Sequence, residues 1–161
     1  MKRFPVLLVL ALAAAAAVAL SSSRRPAGAH CEVPCGIFDD GERFKALLEN
    51  QTTIAKAMDQ VNHLAAEKMG PQDMNQMVRW VMVKEDHATK SMDIAGQYFM
   101  AQRIKPAATG DEAGSKRYMD LLTKAHAVMV TAMKCKQTVD PAAATAHQDA
   151  ITAFQTAYSA P

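Results

Sequence analysis

Aromatic side chains are scarce in this chain, with one Trp, three Tyr and five Phe among 161 residues. Proteins that read nucleic acids stack bases on aromatic rings and carry strong positive charge, and a formal net charge of +2 gives no support for that class. Cysteine is sparse too, and its count of three is odd, so a disulfide framework is not the design. No run of alternating β-branched residues occurs, so nothing in the pattern argues for strands. The longest apolar run, Val6 to Leu20, falls short of the roughly 20 residues that a bilayer span needs. Several metal signatures are missing as well. There is no H-E-x-x-H, no Glu-x-x-His of the kind used by carboxylate-bridged di-iron bundles, and no C-x-x-C-H for haem attachment.

What is present begins with an export signal. Lys2 and Arg3 precede the apolar run and Ala27-Gly28-Ala29 follows it, an A-x-A triplet of the kind signal peptidase cuts. Residues 1–29 are therefore expected to be a removed leader and 30–161 the mature domain, exported to the periplasm or beyond with no stable membrane association. An uncleaved anchor is the alternative. Arg24 and Arg25 come after the apolar run, so they are not a twin-arginine signal. The leader holds Lys2, Arg3, Arg24, Arg25 and no acid; without it 14 basic residues face 16 acidic ones, a net −2.

The mature chain reads as four helices. Asp39-Asp40-Gly41 is a start signal, because carboxylates favour the positive end of the helix dipole. Phe44, Leu47, Leu48, Ile54, Met58, Val61 and Leu64 then recur at three- and four-residue steps, to about Lys68. Gly70-Pro71 breaks this helix, and a second is expected from about Gln72 to Arg103. Its buried side is marked by Met74, Met77, Val78, Val81, Met92, Ala95, Tyr98 and Phe99. Lys105 to Ser115 reads as a loop. A third helix from about Lys116 to Gln137 buries Tyr118, Leu121, Leu122, Ala125, Val128, Met129, Met133 and Cys135. Asp140-Pro141 starts the fourth, with Ile151, Phe154 and Tyr158 inward. The expected fold is all-α, an antiparallel four-helix bundle over about 40–158, with residues 30–38 forming an N-terminal hook outside it. The eleven Met suit adaptable helix packing.

The hook carries the chemistry. Cleavage after Ala29 makes His30 the first residue, followed by Cys31, Glu32, Val33, Pro34, Cys35 and Gly36. One short segment then offers an α-amine, an imidazole, the Cys31 amide nitrogen and two thiolates. Pro34 fixes φ, and Gly36 allows backbone angles that a side chain forbids, so a tight turn can bring Cys31 and Cys35 to one ion. Amine, deprotonated amide and two thiolates define a plane, which suits Ni(II) or Cu(II), whereas zinc prefers a tetrahedron of side chains. The His30 imidazole is free to bind axially. A simple Cys31–Cys35 disulfide is the bland alternative for exported thiols. Cys135 reads as a buried structural thiol, and His63, His87, His126 and His147 as solvent-facing or core histidines.

His30, Cys31, Pro34, Cys35 and Gly36, followed by Ile37, Phe38 and Asp39, resemble the N-terminal motif of the nickel superoxide dismutases. The likeness extends more loosely through Val78-Arg79-Trp80-Val81, Lys84-Glu85, Tyr98-Phe99, Gln102 to Pro106 and Lys134 to Thr138, which look like segments of a marine-type branch. The resemblance implies one nickel ion per subunit, bound by the His30 amine and imidazole, the Cys31 amide and thiolate and the Cys35 thiolate. It further implies disproportionation of two superoxide anions to dioxygen and hydrogen peroxide, and a homohexamer whose hooks are covered by neighbouring subunits. His30 would bind axially in the oxidised form and leave in the reduced form. A processing peptidase is then a required partner. Two positions depart from the pattern: Phe38 stands where Tyr is common, and His87 falls where an Arg often orients the axial imidazole. Glu32, Phe38, His87 and Tyr98 are the candidate surroundings of the metal. An exported copper- or nickel-binding bundle without dismutase activity is the competing function.

Overall fold

The computed structural model describes residues 36–160, except Glu67. The expected leader, and the expected hook up to Cys35, lie outside the described residues. Four long helices follow: α1 (Asp40–Ala65), α2 (Pro71–Asp93), α3 (Glu112–Gln137) and α4 (Pro141–Ser159). The last part of α2 widens without a break into a π-helix, Ile94–Arg103. No strand occurs among the described residues, and no helix among them is long and apolar enough to cross a membrane.

Aspartates set most of the helix starts. Asp39, Asp111 and Asp140 accept from the amides of Glu42, Gly114 and Ala142 at 3.0, 2.9 and 2.9 Å. Each satisfies a donor that the first turn leaves unpaired. At the start of α2 the pattern inverts, with the Gly70 amide donating to Asp73 Oδ2 at 2.9 Å. The Asp111 cap moves the start of α3 four residues ahead of the Lys116 expected from the apolar stripe, so the loop is correspondingly shorter. Gly114 is required there, because a Cβ would collide with the capping Asp111 carboxylate.

Cross-helix hydrogen bonds give the topology. Asn50–His87 and Asp40–Tyr98 join α1 to α2. Lys84 to Cys135 O and Lys136 to Thr89 join α2 to α3. Thr131–His147 and Cys135 to Ala143 O join α3 to α4, and Gln51 to Ala144 O with Tyr158 to Asp40 joins α1 to α4. For α1 with α2, α3 with α4 and α1 with α4, one residue number rises as the other falls; α2 and α3 are then opposed as well, so all four neighbours are antiparallel. This is the expected bundle.

The buried side of α2 differs from the sequence expectation. Ala95, Tyr98 and Phe99 are buried, but Met74, Val78 and Val81 are exposed, beside Met82 at 65%, for which no burial was expected. The reason is length. The Lys84 ammonium donates to Cys135 O and Lys136 O at 2.8 and 2.7 Å, marking the end of α3. Roughly 20 Å of α2 ahead of Lys84 therefore runs past the end of α3, with α1 beside it, as Lys56 over Trp80 shows, but no α3 to cover its other side. Met133, also expected inside, lies on the outer side of α3.

The core has two parts. One is aliphatic and small: Ile54, Met58, Ala88, Cys135, Ala143 and Ala144. The other gathers Phe44, Phe99 and Phe154 with Tyr158 packed against them, ring centroids 4.7 to 5.9 Å apart. The scarce aromatics are thus concentrated at the end of the bundle where the hook joins it.

Candidate metal centre and its anchor

The described chain begins at Gly36, whose φ of 80° lies in the left-handed region. A side chain there would be strained, which is the backbone freedom expected of a turn just after Cys35. Ile37 follows, almost wholly exposed, then Phe38, which is partly covered. The Phe38 ring meets Tyr98 edge-on at 5.8 Å, and the Arg103 guanidinium carbon lies 4.5 Å from its centroid. The base of the hook is therefore held between an aromatic edge and a cation.

Asp40, at the first position of α1, ties this corner together. Arg103 donates from Nε to Oδ1 at 2.8 Å and from Nη2 to Oδ2 at 2.6 Å. The Tyr98 hydroxyl donates to Oδ1 at 2.7 Å and the Tyr158 hydroxyl to Oδ2 at 2.9 Å. Four donors match the roughly four lone pairs of a carboxylate. The Arg103 bonds hold the Asp40 carboxyl below the usual range, against the opposing effect of burial. Burial, then the bond to Asp40, pushes the Tyr98 phenol up to about 12. Burial likewise raises Tyr158. Arg43 adds a second cation, 5.0 Å above the Tyr98 ring.

The π-helix makes this convergence possible. Five residues separate Tyr98 from Arg103, and in an α-helix that spacing turns about 140° away. The wider i→i−5 turn, seen in the 2.8 Å bond from Ile104 N to Phe99 O, brings both side chains toward the same carboxylate. Helical periodicity read from sequence could not place Arg103 there. Asp40 had a signal, as a helix-start acid, but that signal says nothing of Arg103, Tyr158 or Arg43.

Of the candidate residues, Phe38 and Tyr98 are brought together. His87 is not with them: it lies roughly 15 Å back along the same helix, where Nδ1 meets Asn50 Oδ1 at 2.7 Å. Burial lowers its pKa. His30, Cys31, Glu32 and Cys35 lie outside the described residues. Among the described residues, no group of three or more His, Cys, Asp or Glu side chains could hold a metal ion. Cys135 is fully buried, donates to Ala143 O, and is pushed up to about 11 by burial. It is a structural thiol, as expected.

An all-helical bundle, with the segment from Gly36 to Phe38 pinned beside one carboxylate, is a frame suited to a metalloprotein of the helical-bundle class. Residues 25–161 match the family model described as nickel-containing superoxide dismutase, and the chain belongs to that family. It is accordingly an oxidoreductase, a nickel-dependent superoxide dismutase with superoxide as substrate and a nickel ion in each subunit. The competing reading, a metal-binding bundle without dismutase activity, is not favoured. No curated protein and no solved structure matches the chain.

The donor chemistry fits nickel. Thiolates and a deprotonated amide are strong electron donors, suited to an ion whose higher oxidation state is otherwise hard to reach. In the sequence, that set is what the motif His30, Cys31 and Cys35 is expected to offer.

Proposed function

We propose that the mature chain begins at His30 and that the hook, residues 30–38, holds the nickel. The donors are the His30 amine and imidazole, the Cys31 amide nitrogen and thiolate, and the Cys35 thiolate. Residues 1–29 are a leader removed by a peptidase, residues 30–161 the working domain, and the site of action lies outside the cytoplasm. Bound nickel, alternating between +2 and +3, supplies the one-electron exchange by which two superoxide anions and two protons become dioxygen and hydrogen peroxide.

The chain's own residues bind, orient and shield. Gly36 turns the hook out of α1. Asp40, clamped by Arg103, Tyr98 and Tyr158, fixes where that turn leaves the bundle. Phe38, at the base of the hook, is an aromatic wall without a hydroxyl, so it would exclude water from an ion held there but donate no proton. Tyr98, whose hydroxyl is engaged by Asp40, positions Phe38 by edge contact. Glu32 brings a carboxylate to the same segment. His87 lies roughly 15 Å along the helix from the hook base, and its action on the hook, like the homohexamer, rests on the resemblance alone.

The observation that carries this reading is the family match beginning at residue 25 and spanning the hook, on a chain whose described residues hold no other metal-binding group. Cys31→Ser and Cys35→Ser variants of the processed protein test it. Each is expected to lose stoichiometric nickel and dismutase activity while keeping its helical circular dichroism. Full nickel occupancy in both variants would overturn the donor assignment.

A further inference from the structure

A second functional feature lies on the other side of the Asp40 carboxylate. A cleft of about 460 Å³ opens between the start of α1, the loop after the π-helix, α3 and the end of α4. Asp40, Arg103, Lys105, Arg117, Tyr118 and Tyr158 supply its polar lining. Three cations thus face one acid, and that acid is already saturated by four hydrogen bonds from Arg103, Tyr98 and Tyr158. Arg103 is neutralised by this pairing. Lys105 and Arg117 are not: among the described residues neither forms an ion pair, and Arg117 only donates from Nη2 to the Tyr158 carbonyl at 3.2 Å.

Two uncompensated cations in one concave site repel each other and favour an anion that can meet both. We propose that this cleft is a binding site for a small phosphate-type dianion, held by Lys105 and Arg117 with Tyr118 at its wall. A planar guanidinium offers paired donors to a tetrahedral oxyanion, and the ammonium adds a point charge. A monoanion such as the substrate would leave one of the two cations unmatched, so the site selects against it. The back of the cleft is Arg103, the residue that stacks on Phe38, so the site shares a wall with the base of the hook. The proposal does not depend on where nickel binds.

Inorganic phosphate, titrated into the nickel-loaded processed protein against chloride at equal ionic strength, tests it. The readout is the NMR signals of the arginine guanidinium groups and of the Tyr118 ring. The expected result is a saturable shift of Arg117 and Tyr118 with phosphate alone, weakened about tenfold or more in the Lys105→Gln/Arg117→Gln variant. Both side chains are exposed, so native circular dichroism of the variant is expected and is checked in parallel. A shift that never saturates, one that chloride reproduces, or one unchanged in the double variant would overturn the proposal.

Discussion

Arg103 grips Asp40 with two parallel hydrogen bonds, 2.8 Å from Nε and 2.6 Å from Nη2, while its guanidinium face covers Phe38 at 4.5 Å. One side chain therefore ties the start of α1 and the base of the hook to the end of the π-helix. Lysine could replace the charge but neither the fork nor the flat face.

Breaking this clamp should loosen the hook base more than the bundle. Asp40→Asn removes a charged acceptor from a partly buried pair, and a loss of about 1–3 kcal/mol is expected in urea unfolding. Tyr98 provides a local readout. Its pKa of about 12 should fall in the variant yet stay above 10, because burial is the larger cause and persists. Urea unfolding checks the first and ultraviolet titration the second, and an unchanged phenol would show that Asp40 does not act on Tyr98.

His147 predicts acid sensitivity. It is fully buried, Nδ1 meets Thr131 Oγ1 at 2.9 Å, and among the described residues Nε2 has no partner. Burial lowers its pKa to about 4, against 6.5 for the free side chain. The unfolded chain then binds a proton at higher pH than the folded one. Its stabilisation is whole above about pH 6.5 and declines as pH falls toward 4, by about 3 kcal/mol in total. His147→Gln should flatten the stability profile across that window. An equally steep decline in the variant would assign it to other groups.

Lys84 is expected to be structurally costly to replace. Its ammonium, 3% exposed, donates to Glu85 Oε1 and to the last carbonyls of α3. Lys84→Met leaves those carbonyls without a donor and should cost about 2–4 kcal/mol. By contrast, Met82→Gln on the overhanging part of α2 should change bundle stability by no more than about 0.5 kcal/mol. Thermal unfolding of the two variants side by side makes the comparison.

Thiol labelling separates the cysteines. Cys135, buried and pushed up to about 11, should resist alkylation at pH 8 until the protein is denatured. Mass spectrometry of native and unfolded samples counts the difference. Rapid native labelling of Cys135 would contradict its place in the core.

The bundle was legible because its signals are local. Asp39 and Asp140 cap the helices they were read to start, and Phe44, Leu47, Leu121, Ile151 and Phe154 are inward as their spacing required. Periodicity failed for Met74, Val78 and Val81. It locates an apolar face but not whether another helix reaches it, and α3 ends too soon. The Asp111 cap was missed because Gly110 and Gly114 read as loop residues. Of the proposed site, the proposed donor motif is read from the sequence, whereas the Asp40 clamp depends on a π-helix that no residue spacing announces. Phe38 and Tyr98 were both named from resemblance; their edge-on contact, and the cation over Phe38, required the fold.

The central claim concerns the amine of His30. Two forms of the protein decide it, one beginning at His30 and one carrying a single glycine ahead of it, each titrated with nickel and assayed for superoxide consumption. The expected result is one nickel per chain and full activity for the first, and loss of activity for the second with its helical content unchanged. Equal activity in both would mean that the terminal nitrogen is not a donor, and the hook described here would not be the metal site.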